Sequence, residues 1–287
     1  MIILKNEILS VGISNAGAEV KSVRYLPTQT EMMWQGNPAF WGRTSPVLFP
    51  IVGRLHQNRL LVNDNAFTLT QHGFARDEDF VITKQQDDMV HFTLQSNTHT
   101  RALYPYDFTL EIIYTLSGNS LNVDWHVCNT GAETMYFGIG AHPGFNLPGG
   151  MRQYEIVFEK PESASTVLLQ DGLLTTYVKP LLNNAVVLPL HPDLFAADAL
   201  VFKSIQSEKL LLRNRQTGYS VEVSWKNFPY LGIWSAKGCD AFVCIEPWCG
   251  HADPEGGHTD ISSKPGMQVL NPGELFIRQY CMRFQGA

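Results

Sequence analysis

The chain has 287 residues, 44% of them hydrophobic and 17% charged, so it has ample apolar material for a sizeable core and intrinsic disorder is excluded. Its 21 Lys and Arg against 27 Asp and Glu leave a net charge of -6, a poor match for a phosphate backbone, so no nucleic acid is expected as a partner. The start of the chain has no basic segment ahead of an apolar core. Pro143, Pro148 and several glycines interrupt the uncharged run from Thr134 to Met151. The expectation is therefore a cytoplasmic protein with no targeting peptide and no membrane span. Cys128, Cys239, Cys244, Cys249 and Cys281 form no close CxxC pair, which predicts free thiols rather than a disulfide framework or a zinc ribbon.

Helical periodicity is almost absent. Short runs rich in Val, Ile, Phe, Tyr, Thr and Leu recur between turn residues, which predicts an all-β antiparallel fold. In chain order, Trp34 to Leu60 comes first, and its prolines and glycines predict a long irregular excursion with embedded aromatics. Strands are predicted at Asp79–Lys84 and Val90–Gln95. Phe108–Leu116 and Ser120–Cys128 alternate apolar with polar residues around a turn containing Gly118, which predicts a hairpin. A strand follows at Tyr154–Phe158, then the one stretch suited to a short helix, Pro192–Ala197. Further strands are expected at Leu210–Arg213, Tyr219–Ser224, Tyr230–Trp234 and Phe276–Arg283, with a second long loop at Trp248–Gly266. At about 150 residues per domain the length suggests two domains. No charge run, repeat or low-complexity linker cuts the chain, so a single domain over 1–287 is expected.

Two polar residues close apolar runs. His142 ends YFGIGAH, and Pro143 pushes it toward an extended backbone. It is either a general acid, with a reference pKa of about 6.5, or a core histidine satisfied by one hydrogen bond. Glu246 ends DAFVCIE, where a carboxylate needs a partner or a task. It is either a general base or a solvated glutamate where Pro247 stops the strand. His72 and Arg76 in QHGFARD, and Arg54 in FPIVGRL, lie on glycine-containing turns that can present donors to a ligand. Taken singly, each arginine is equally suited to a surface ion pair. Asp198 either caps a turn or binds a pair of hydroxyls. Trp34, Trp41 and Trp248 are candidates for stacking or for the core. Cys249, His251, Asp253, Glu255 and His258 crowd one loop, but without the order or rigidity of a zinc site, so no metal is expected.

Six segments taken together resemble the aldose 1-epimerase, or galactose mutarotase-like, family, in its mutarotase-related branch. They are SPVLFPIVGRL (45–55), QHGFARDEDF (71–80), GAHPGFNLP (140–148), DLFAADALVF (193–202), CIEPWCGHAD (244–253) and LNPGELFIRQY (270–280). The resemblance implies an antiparallel β-supersandwich with a cleft on one concave sheet, and cofactor-free interconversion of the α and β anomers of an aldose. It implies His142 and Glu246 as catalytic residues, and Arg54, His72 and Asp198 as sugar-binding ones. Arg76 and Trp248 are expected in the cleft by motif wording. A hexose 6-phosphate mutarotase, with Arg43, Arg54 and Arg76 serving the phosphate, and a non-catalytic carbohydrate-binding protein are the alternatives. The reading assigns no oligomeric state.

Overall fold

The computed structural model describes residues 1–258 and 260–287. Two large antiparallel sheets face each other. The first has nine strands, in the order 185–189, 154–162, 209–214, 220–225, 275–285, 120–129, 108–117, 89–95 and 81–85. The second has eight. Its main path runs 173–180, 165–170, 200–202, 230–234, 242–249, 139–141 and 47–48, and 144–146 pairs separately with 242–249. A smaller four-stranded sheet is built from residues 2–31.

Side-chain alternation dictates this arrangement. Phe108–Ser117 pairs with Ser120–Asn129 from Phe108 opposite Asn129 to Ser117 opposite Ser120, and alternate residues are buried along both strands. Leu110, Ile112, Trp125, Val221 and Met282 of the nine-stranded sheet share one hydrophobic cluster with Val47, Ile139, Ile233 and Ile245 of the eight-stranded sheet. In Phe242–Cys249 every residue is buried, because both faces are covered. Val243, Ile245 and Cys249 join the main core, while Phe242, Cys244 and Trp248 belong to two smaller clusters on the opposite face.

The predicted strands are present, most of them longer by one to a few residues. The region Pro192–Ala197 forms only a 3-10 turn, Pro192–Phe195. The α-helix lies instead at Thr98–Leu103, where Asn97 and Thr100 exchange side-chain to backbone hydrogen bonds as a capping box. Six residues are too few for a periodic signal. The second loop begins at Gly250 rather than Trp248, because the strand runs through Pro247 to Cys249. Ile245 N–H donates to Pro143 O, and two residues on, Pro247 faces the same side. There the neighbouring strand is interrupted between Ala141 and Gly144, so the missing N–H costs no ladder bond. All five cysteines are unpaired. Among the described residues no helix is long and apolar enough to cross a membrane.

Candidate active site

His142 occupies that interruption, between strands Ile139–Ala141 and Gly144–Asn146. Glu246 lies mid-strand beside it, on the face that also carries Cys244 and Trp248. The two side chains are 9% and 2% exposed, and His142 Nε2 stands 3.3 Å from Glu246 Oε2. Both line a cleft of about 340 Å³, at the small end of ligand sites, which span about 300–1,000 Å³. His72, Arg76, Asp198 and Trp248 line it too, together with Trp41, Trp234 and His251.

Glycines set how closely these walls approach. In register, Gly140 and Tyr230 lie opposite Trp248, and Gly232 opposite Glu246. A Cβ on Gly232 would sit 2.3 Å from the Trp248 ring, and one on Gly140 would sit 2.6 Å from it. The indole is thus seated over two glycines. Gly232→Ala is expected to lower stability by about 1–3 kcal/mol through overpacking, as read by urea unfolding. An unchanged midpoint would show that Trp248 can move aside freely.

Burial governs the electrostatics. Loss of solvent pushes the His142 imidazole down to about 3, and the Arg76 and Arg43 guanidinium groups add to the fall. The Glu246 carboxyl is driven well above the usual carboxylate range, also by desolvation. The Trp248 indole opposes this in part, although its Nε1 makes no hydrogen bond of ordinary geometry. Both shifts favour the uncharged forms, a neutral imidazole beside a protonated carboxyl. His72 is likewise kept neutral by burial and then by His142. Its Nδ1 accepts the Gly53 N–H at 3.1 Å, which puts the imidazole proton on Nε2. Trp41 stacks on His142 at 4.7 Å between ring centroids, and the edge of His72 meets His142 at 5.5 Å.

Arg54 departs from its companions. Its guanidinium donates to Asp171 O at 2.9 Å, and its side chain packs by Gly172 at the hairpin turn beside the cleft, not among the lining groups. Arg43 is bound to Asp77 at 2.6 Å. Asp198 stands at the rim with φ 106, a left-handed conformation that costs a non-glycine residue about 1–3 kcal/mol and is common at functional sites. In the crowded second loop, Asp253 takes His258 Nδ1 at 3.0 Å, Lys264 Nζ at 2.6 Å and the His56 amide at 2.9 Å.

Three cleft residues escaped the sequence reading in this role. Trp41 and His251 were weighed there only as a general stacking candidate and a metal ligand, and Trp234 only as part of a strand. Their positions depend on long-range packing. His251 is held by its own loop, with Nδ1 against Ala252 O at 2.7 Å, and edge-on to Tyr230 at 4.9 Å.

A buried imidazole and a buried carboxyl thus stand side by side at a small cleft of mixed polar and apolar lining on one sheet of a β-sandwich. The aldose 1-epimerase profile matches residues 1–276, and the chain belongs to the aldose 1-epimerase family. It is 33% identical over 290 residues to Protein LacX (chromosomal) of Lactococcus lactis subsp. lactis, covering 96% of this chain and 97% of that one. The X-ray structure of a galactose mutarotase related enzyme from Lactobacillus acidophilus matches at 35% identity and a TM-score of 0.95, over 99% of this chain and 97% of that one. A galactose mutarotase-like protein from Lactobacillus casei ATCC 334 matches at 28% identity and a TM-score of 0.94, over 99% and 100%. The fold is galactose mutarotase-like, and family and neighbours together support a mutarotase-type isomerase.

Proposed function

We propose that the protein interconverts the α and β anomers of a free aldose, with His142 and Glu246 as the acid–base pair and no cofactor. The observation that carries this is the pair itself: two buried groups 3.3 Å apart that face a cleft. Ring opening needs that arrangement. The protonated member gives its proton to the ring oxygen while the other takes the anomeric hydroxyl proton, and the bond from the anomeric carbon to the ring oxygen breaks. Rotation about the bond to the second carbon presents the other carbonyl face. Reversed transfers close the opposite anomer and return the pair to its starting state. In the free site burial favours the proton on Glu246. A sugar hydroxyl donating to Glu246 favours its ionised form, which moves the proton to His142 and makes His142 the acid and Glu246 the base.

Polar groups without partners support a hydroxyl-rich ligand. Among the described residues six buried side-chain polar atoms lack a hydrogen-bond partner, and three of them, Arg76 Nε (3.8 Å from Asp77 Oδ2), His142 Nδ1 and Trp248 Nε1, belong to residues lining the cleft. Free sugars are favoured over 6-phosphates because Arg43 and Arg54 are engaged by Asp77 and Asp171 and do not line the cleft, while Arg76, which does, is itself held by Gln71 O and faces Asp77. We assign His72, Arg76, Asp198 and Trp248 to sugar binding, Arg54 to holding the adjoining turn, and the whole chain to one cytoplasmic domain.

Polarimetry on freshly dissolved single anomers of hexoses, pentoses and their 6-phosphates tests this. At least one free aldose should mutarotate faster with the protein, before and after chelator treatment. Activity lost to EDTA and regained with zinc would overturn the cofactor-free reading, and acceleration of a phosphate ester alone would overturn the free-sugar one.

The pH profile of the rate should be a broad bell. Toward acid, a second proton enters the pair at His142, whose pKa is depressed to about 3, so the acid limb lies well below the ordinary histidine range. Toward alkali, the proton leaves Glu246, whose pKa is raised, so that limb lies above the ordinary glutamate range. A rate that keeps falling from the ordinary histidine pKa downward would show that His142 is solvated during turnover.

A further inference from the structure

Cys244 stands two residues before Glu246, so both side chains leave the strand on the same face. Gly144 lies opposite Cys244 in register and gives the thiol room, since a Cβ there would fall 3.4 Å from Sγ. Among the described residues one group of three His, Cys, Asp or Glu side chains has ligand atoms all within 4.8 Å of one another, and it is His142, Cys244 and Glu246. All three are buried. The thiol has no place in the ring-opening chemistry, yet it stands against the pair that performs it.

We propose that His142 Nε2, Cys244 Sγ and the Glu246 carboxylate form a zinc site, and that zinc bound there switches the acid–base pair off. A nitrogen, a sulfur and an oxygen ligand suit zinc, which takes three protein groups and leaves a fourth position open, here toward the cleft. Zinc bonds of about 2.0–2.3 Å hold neighbouring ligands roughly 3–4 Å apart. His142 and Glu246 already have that separation at 3.3 Å, and the thiol, within 4.8 Å of both, completes it by moving inward. Magnesium and calcium want oxygen ligands and do not fit this set. Coordination releases two protons to solvent, the thiol proton and the Glu246 proton, and occupies the lone pairs that accept protons during ring opening. The bound state can neither donate nor accept.

The inhibition rests on the proposed acid–base reading, whereas the binding does not, so the two are tested separately on the full chain. Cobalt(II) serves as the optical probe for zinc. One equivalent should produce a thiolate-to-cobalt charge-transfer band in the near ultraviolet that zinc displaces, absent in Cys244→Ser and weakened in His142→Asn. No band, or a band that persists in Cys244→Ser, overturns the site. One equivalent of zinc should suppress mutarotation by the wild type, with full recovery on chelation. Cys244→Ser, referred to its own uninhibited rate, should need at least about tenfold more zinc for half-inhibition. Equal sensitivity overturns the proposal. Circular dichroism establishes that the serine variant folds, and Cys244→Ala replaces it if it does not. A cobalt band in a protein inert toward every aldose leaves the metal site standing and overturns the mutarotase reading.

Discussion

Glu246→Gln and His142→Asn should each lower the turnover of the best aldose by about 10²–10⁴-fold while leaving its affinity nearly unchanged. The glutamine preserves shape and some hydrogen bonding but cannot accept the anomeric proton, and asparagine cannot deliver one to the ring oxygen. The double variant should lose less than the product of the two, because residues 3.3 Å apart in one site act as a unit. His72→Asn should raise KM at least as much as it lowers kcat, since its Nε2–H is free to hold a hydroxyl while Nδ1 is tied to Gly53. Initial-rate polarimetry separates the two patterns. Near-normal turnover in Glu246→Gln would mean that the base lies elsewhere and would favour a non-catalytic carbohydrate-binding protein.

The second large effect is structural. Asp253→Ala should destabilise the fold by about 3–5 kcal/mol, the cost of removing one partner from a buried ion pair. The Asp253 and Lys264 side chains are both 0% exposed, and Lys264 Nζ also donates to His251 O. Without the carboxylate, a buried ammonium keeps only a carbonyl. Asp253→Asn combined with Lys264→Met should cost far less, because no charge is stranded. Urea unfolding of the single and double variants decides the matter, and equal losses would mean that shape rather than charge holds the loop. The effect should reach the cleft, since this hub fixes the loop that carries His251 and Ala252 against Gly53.

Much of the β architecture was legible because strand alternation is local. Phe108–Ser117 and Ser120–Asn129 declare themselves by their own pattern, as does Tyr230–Trp234. Val47–Leu48, Ile139–Ala141 and Gly144–Asn146 could not, because two or three residues become a strand only when a partner is found. His142 and Glu246 stood out as polar groups closing apolar runs, which a chain does not bury idly. Pro247 misled by offering a strand end, because the gap that tolerates it lies on another segment. For Arg54 the resemblance supplies a position but not a side-chain direction. Its place in the chain was legible, but the direction of its side chain depends on the Asp171 carbonyl, more than a hundred residues away.

The order of strands in the nine-stranded sheet sets the timing of assembly. Ser120–Asn129 has Phe108–Ser117 on one side, but its other neighbour is Leu275–Gln285, with Ser120 opposite Arg283. Leu275–Gln285 also closes the sheet against Ser220–Trp225. During synthesis, two strand edges therefore wait unpaired until residue 285 clears the ribosome, and such edges invite pairing with other chains. Rapid final closure shortens that exposure, and recovery of activity on refolding reports the completion of this last pairing.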